Sequence, residues 1–370
     1  MSTDINGLFI ELLQLSLGTR TELSRVPSVH EWDLLLIKAE DQAIVGLLLC
    51  GLERLSPEQV PPVPLKLQWI GEEQILEVSY RKHLDIITKT RECLVRGHIP
   101  VAFMKGLVCG SRYLQPERRT CGDIDFVVAE KDFAKTLDLL EELGAVDRKL
   151  NHEHHGMAFV DGVTLEPHYK VHNFQNPAID KAQIELFHEV FPHKLRRLNL
   201  DGEEIPVFPP TFECLILLGH MVNHVYAEGL GLRQVIDFML FLQEEQENIR
   251  KEECQRYIKK MQMERAFRVF VRICEEYLGM SCALFNLEYS KKEKKFAKKL
   301  FENIMKVGNF GRVERHLGDN KILKPIRSYL WVLKRCCELG WLCPAEARWW
   351  PVSKLNRFRK KVLKTGLGPK

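Results

Sequence analysis

Long apolar runs are missing from this sequence. The longest near-apolar stretch, residues 43–52 (AIVGLLLCGL), falls well short of the roughly 20 residues that a helix needs to span a bilayer. The N-terminus, Met1-Ser2-Thr3-Asp4, has no basic segment followed by an apolar one, so no secretory leader is expected. The 11 cysteines contain no Cys-x-x-Cys pair and, apart from the neighbours Cys336-Cys337, are scattered singly. An odd, unspaced set excludes a disulfide framework and points to reduced thiols. Together these absences predict a cytoplasmic protein with no transmembrane segment. Internal repeats are absent too, and no disorder-type composition occurs before the extreme C-terminus.

What is present is ordinary for a globular chain: 45% hydrophobic and 28% charged residues. A length of 370 residues suits two or three domains. The net charge of +4 conceals an asymmetry, because residues 323–370 carry 12 Lys and Arg against 2 Glu. The body is therefore mildly acidic and the tail strongly basic.

Residues 1–96 read as helical. Apolar residues recur at helical spacing over 6–17, and Ser28-Val29-His30-Glu31 is a Ser-x-x-Glu capping box. A third helix is expected over 41–55, followed by a break at Pro57, Pro61, Pro62 and Pro64 and a long amphipathic stretch over 65–96. The period changes at Gly97-His98-Ile99-Pro100. Residues 101–104 form a short apolar run, 107–114 a short helix, 124–129 a second strand and 130–144 an amphipathic helix closed by Gly144. Two alternating runs, 156–160 and 163–168, flank Asp161-Gly162, a strong hairpin signal. Beyond 178 helices return, at 212–226, 232–246, 252–278 and 291–307, and 318–326 reads as a linker. The expected divisions are 1–96, a helical N-terminal region; 97–178, the core; 179–322, a helical C-terminal domain; and 323–370, a basic Trp-rich tail. The fold class is α+β, a small mixed-sheet core flanked by N-terminal and C-terminal helical domains.

The chemistry concentrates in the core. Strand alternation puts Asp123 and Asp125 on one face and Ile124 and Phe126 on the other. Two adjacent carboxylates repel, and a hard divalent cation with oxygen ligands is the economical neutraliser. Glu166 and His168 share a face of the later strand, so Glu166 becomes the third carboxylate if that strand lies nearby. Three carboxylates suit two divalent ions roughly 3.5–4 Å apart, an arrangement for in-line attack on phosphorus. Gly106 sits where a backbone turn approaches phosphates closely. Lys105 either contacts a phosphate as a point charge or pairs with one of the aspartates. Arg119 either grips a phosphate bidentately or braces its loop, while Arg118 is expected to be solvated and Tyr113 to pack.

These residues carry a resemblance. The order strand, Gly, helix, Asp-x-Asp strand, acidic strand is similar to that of the polymerase-β-like nucleotidyltransferases. More closely, Lys105-Gly106, Tyr113, Arg119, Gly122-Asp123-Ile124-Asp125, Glu166-x-His168 and Gly231-Leu232-Arg233-x3-Asp237 resemble a bacterial group of uncharacterised nucleotidyltransferases, over most of residues 30–310. The resemblance implies a minimal nucleotidyltransferase core at 97–178. It implies catalytic and metal-binding roles for Asp123, Asp125 and Glu166, with Mg²⁺, two ions, and Mn²⁺ as the alternative. It places Lys105, Gly106, Arg119, His168 and Arg233 toward an NTP, ATP among them, and leaves the acceptor unidentified. One departure stands out: the broader superfamily has Gly-Gly or Gly-Ser after the first strand, and here Leu107 follows Gly106.

Other clusters read as structural. His152, His154 and His155 fall in a polar loop without zinc-ligand spacing. His220 and His224 lack the glutamate of a His-Glu-x-x-His site and are expected to include a satisfied interdomain histidine. Arg233 and Asp237, four residues apart, suit a helix ion pair. The basic, aromatic tail reads by default as a solvated face or a disordered end, with an anionic partner, nucleic acid or membrane, as the alternative. Against the transferase stands a second class, a catalytically degenerate module that binds a nucleotide or phosphosugar without turnover.

Overall fold

A computed structural model describes residues 5–152, 155–281, 285–318 and 323–364. His154, the terminal Met1–Asp4 and the 319–322 part of the expected linker lie outside the described residues. The N-terminal region is helical as expected, with helices Ile5–Ser16, Val29–Gln42, Val45–Leu52 and Val63–Arg96. The capping box forms: the Glu31 backbone N–H donates to Ser28 Oγ at 3.3 Å, and Ser28 N–H donates to the Glu31 carboxylate at 2.8 Å. The third helix begins later than expected, because Ala43 takes a left-handed conformation (φ 56°) that stops the preceding helix at Gln42.

Seven strands form one mixed sheet: β1 Ala102–Met104, β2 Asp123–Val127, β3 Val146–His152, β4 His155–Val160, β5 Val163–His168, β6 Arg196–Leu200 and β7 Glu203–Val207. Their order is β3-β4-β5-β2-β1-β7-β6. The β2–β5 and β1–β7 pairs are parallel and the rest antiparallel. The Asp161-Gly162 turn joins β4 to β5, both residues at positive φ (49° and 77°), as such two-residue hairpins require.

Two differences from the expected outline concern strands. The polar stretch ahead of β4, read as a loop holding His152 and His155, is the β3–β4 hairpin. Residues 196–207, read as part of a helical region, form the β6–β7 hairpin and extend the sheet past β1. Its Asp201-Gly202 turn repeats the positive-φ signal of the first hairpin, at 49° and 93°. The helix expected over 252–278 is two helices, Lys251–Lys260 and Glu264–Leu278, separated at Gln262 (φ 54°).

Alternation decides what each sheet face meets. Ile124, Phe126 and Leu165 pack with Ile86, Ile87 and Leu94 of the 34-residue helix Val63–Arg96. On the other face, Met104 and Val127 join the larger core of the flanking helices. Asp123 and Asp125 share that second face, so the carboxylates look toward the C-terminal helices.

The described part of the basic tail, residues 323–364, is folded. Helices Leu323–Leu339, Pro344–Ala347 and Trp349–Lys364 bury Leu342, Cys343 and Trp350. The Cys343 backbone N–H donates to Tyr226 Oη at 3.0 Å. Arg335 donates to the Val225 carbonyl. The fully buried Glu346 accepts from the backbone N–H groups of Gln175 and Asn176 at 2.6 and 3.0 Å. The disordered-end default is thus overturned, because apolar residues at helical spacing find a receiving face on the helix Pro210–Ala227. Among the described residues no helix is long and apolar enough to cross a membrane.

Burial pushes the Glu346 carboxyl up to about 7 from its ordinary 4.5, against the pull of the two backbone donors. A folded-state value above the unfolded one means that the native chain holds the extra proton between 4.5 and about 7. Stability therefore falls as pH rises through that window. Glu346→Gln is expected to flatten this slope, which urea midpoints measured across the same pH range would reveal.

Candidate active site

β1 ends at Met104, and the chain turns at once into the short helix Gly106–Gly110. The turn puts Lys105 (φ 56°) and Gly106 (φ 37°) in succession at positive φ. For Lys105 this is a strained conformation of the kind found at functional sites. At Gly106 a Cβ would stand 3.2 Å from the Asp123 carbonyl oxygen, so glycine keeps the turn pressed against the start of β2. The turn itself accommodates Leu107, which is buried in the core behind it.

Sheet register assembles the acidic residues. Asp125 pairs with Met104 on one side and with Glu166 on the other; Asp123 pairs with Thr164, and Val127 with His168. The expectation that the later strand lies beside the Asp-x-Asp strand is met. Lys105 Nζ and His168 Nε2 each stand 2.9 Å from Asp125 Oδ1, and His168 Nε2 lies 3.8 Å from Glu166. Of the two roles open to Lys105, the structure has the ion pair with Asp125.

Electrostatics divide the three carboxyls. Burial disfavours ionised Asp125, but the Lys105 charge and the His168 hydrogen bond override it and hold the group well below the usual range. Asp123 is raised by burial and then by the charge of Asp125. Glu166 is pushed up to about 8, by burial first and then by Asp125 and Asp123. Lysine and histidine together thus compensate one carboxylate of three, and the other two sit in surplus negative potential. A divalent cation fits that deficit. Single ligand atoms of Asp125, Glu166 and His168 lie within 4.8 Å of one another. That is the one such grouping among the described residues, so His168 stands where Asp123 had been expected to complete a trio.

These side chains open on a cavity of about 540 Å³. Lys105, Gly106, Asp123, Asp125, Glu166 and His168 line one side, and Arg233 also faces it. The far wall comes from the helix Pro210–Ala227, through His220, Asn223 and His224, and from the tail, through Trp350 and Arg357. Burial is the leading cause that drives the His172 and His224 rings down to about 3 and His220 well below its ordinary value, so all three are neutral. His172 donates to the Ile216 carbonyl at 2.8 Å, whereas His224, one of the pair expected to include a satisfied histidine, buries its Nδ1 without a hydrogen-bond partner. The His220 and His224 rings stack edge-on at 4.3 Å beside the cavity.

Two arginine expectations need correction and a third is decided. Of the two roles open to Arg119, the structure has the brace, although the residue also lines the cavity: its Nε and Nη2 donate to the two oxygens of Asp237 at 2.8 and 2.7 Å. With Asp237 also accepting from the Tyr113 hydroxyl at 2.8 Å, Arg119 braces the loop and Tyr113 does more than pack. Arg233 therefore does not pair with Asp237 along its helix; its Nη1 donates to the Thr120 carbonyl at 2.7 Å, and its guanidinium lies over the Phe310 ring at the cavity. Arg118 is buried, not solvated, and donates to Glu73 at 2.7 Å and Glu53 at 2.8 Å. The sequence carried no sign of Asn223, Phe310, Trp350 or Arg357, because each reaches the cavity from a segment far from the acidic strands.

No protein of curated function matches the chain. Solved structures similar to it include the antibiotic-resistance factor ANT(2'')-Ia in solution, at 12% identity, covering 53% of this chain and 96% of that one, with a TM-score of 0.37. The crystal structure of ANT(2'')-Ia with adenylyl-2''-tobramycin matches at 13% identity, 49% and 97% coverage and a TM-score of 0.36. An antigenic nucleotidyltransferase-like protein from Paracoccidioides brasiliensis matches at 16%, 58% and 96%, with a TM-score of 0.29. Likenesses this loose transfer no residue role. Sequence similarity is firmer: residues 28–279, well over half of the chain, match a family model. By that match the chain belongs to the uncharacterised nucleotidyltransferases and is an enzyme of that class.

Proposed function

We propose that the cavity catalyses metal-dependent transfer of a nucleoside monophosphate from an NTP to a hydroxyl or phosphate acceptor, with pyrophosphate released. The observation that carries this reading is the β2–β5 register, which sets Asp125 directly beside Glu166 with Asp123 on the same face. Asp125, Glu166 and His168 would hold Mg²⁺, with Asp123 as a further oxygen donor at the rim; Mn²⁺ would suit the histidine nitrogen as well. When bound, the ion supplies charge neutralisation at the triphosphate and a lowered pKa for the attacking group.

The chain's own groups do the rest. The Lys105–Gly106 turn opens the helix Gly106–Gly110 and brings its N–H groups toward the phosphates. Lys105 transfers its charge from Asp125 to a phosphate oxygen, and Arg233 adds a second cation from the opposite side. The acceptor oxygen attacks the α-phosphorus, the bond to the pyrophosphate oxygen breaks, and Glu166 takes the acceptor proton. The domain divisions at 96, 178 and 322 belong to the same proposal, with the sheet extended by β6 and β7.

A labelling experiment tests it. Each of the four NTPs, labelled at the α-phosphate, is incubated with Mg²⁺, the protein and a small-molecule extract as the acceptor source. The expected result is α-label in a new product and one pyrophosphate per transfer. Mg²⁺-dependent NTP binding by calorimetry with every α-label still in NTP would instead favour a binding module without turnover.

A further inference from the structure

The two long helices of the tail, packed on each other, present apolar side chains that the other described residues leave about half exposed. On Leu323–Leu339, the residues Leu323, Ile326, Leu330 and Leu333 fall within an arc of about 80° at about 100° per residue. The buried residues Ser328, Val332, Arg335 and Leu339 occupy the opposite side. On Trp349–Lys364, Trp349, Val352 and Leu355 repeat the pattern at three-residue spacing. All seven of these apolar side chains are between 37% and 55% exposed. Exposed cations flank them: Lys324, Arg327 and Lys334 on the first helix, Arg348 and Arg359 beside the second.

We propose that this face docks on the surface of an anionic lipid bilayer. An apolar stripe edged by lysine and arginine matches an interface in which acyl chains lie beneath negatively charged headgroups. Six of the seven exposed apolar residues are aliphatic, which leaves Trp349 alone among them for a nucleobase to stack on. A second copy of the chain would bring cationic face against cationic face. The charge of the whole molecule agrees: the mildly acidic body would be repelled by such a surface and the basic tail attracted, which orients the approach.

The placement leaves the cavity free. Trp350 and Arg357, seven residues apart, lie on the opposite side of their helix from Val352 and Leu355, and both line the cavity. The helix therefore separates the bilayer from the site, and binding does not plug it.

The test is sedimentation of the full-length protein with vesicles of phosphatidylcholine alone or with about a third phosphatidylserine. The protein should pellet with the anionic vesicles, stay in solution with the neutral ones, and be released as salt is raised toward about 0.5 M. Leu330→Gln/Leu355→Gln changes only exposed positions and should bind about tenfold more weakly while keeping the wild-type circular dichroism. Failure to pellet with anionic vesicles would overturn the proposal, as would wild-type affinity in the double variant. Tighter binding to duplex DNA than to these vesicles, unaffected by the two substitutions, would overturn it in favour of nucleic acid.

Discussion

Asp125→Asn is expected to abolish pyrophosphate release, with a fall on the order of a thousandfold or more, equivalent to about 4 kcal/mol of transition-state stabilisation. The substitution preserves shape and removes one charge from the point where Lys105, His168 and Glu166 converge. Lys105 would then sit half-buried without its partner, and the cation site would lose the one of its three carboxylates that is held well below the usual range. NTP turnover measured beside circular dichroism separates a lost reaction from a lost fold. Asp123→Asn should cost less, because Asp123 stands outside the closest ligand grouping. Unchanged turnover in Asp125→Asn would sink the proposed chemistry.

Asp237→Ala should be the most destabilising single change near the site, by about 3–5 kcal/mol. Asp237 is the bidentate counter-charge of buried Arg119 and the acceptor of the Tyr113 hydroxyl. Its removal strands a buried guanidinium without its counter-charge, and stranding one member of a buried pair costs far more than replacing both. Arg119→Met/Asp237→Leu should therefore recover much of the stability lost by Asp237→Ala alone. Urea denaturation of the two variants beside wild type checks both statements, and Asp237→Ala as stable as wild type would refute them.

The residues that announced themselves in the sequence did so through short-range rules. Alternation placed Asp123 and Asp125 on one face, and Asp161-Gly162 disclosed one hairpin. The same two-residue signal at Asp201-Gly202 is obscured, since the strands on either side carry Arg196, Arg197, Glu203 and Glu204 and look like solvated helix. Arg196 and Arg197 lie on β6, an edge of the sheet, where charged residues discourage further pairing. The role of Arg119 was illegible for another reason. Its partner lies 118 residues away, and nothing local distinguishes an arginine aimed at a phosphate from one aimed at a buried aspartate. Trp350 and Arg357 were hidden in the same manner, because a basic tail reveals its docking only when the receiving helix is known.

Three arginines between the helix Gly106–Gly110 and β2 are fastened to distant parts of the chain. Arg112 donates to Glu213 and Glu245, Arg118 to Glu53 and Glu73, and Arg119 to Asp237. The contacts therefore join residues 45 to 133 positions apart on both sides of the loop. Such long-range closures are made late in folding, because the chain entropy they consume is recovered only when the distant segments are already ordered. The loop that leads into Asp123 and Asp125 should acquire its native shape only after the helices before and after it have docked. A nascent or partly unfolded chain lacking either flank would thus be catalytically silent, and competence for chemistry would arrive together with completion of the fold.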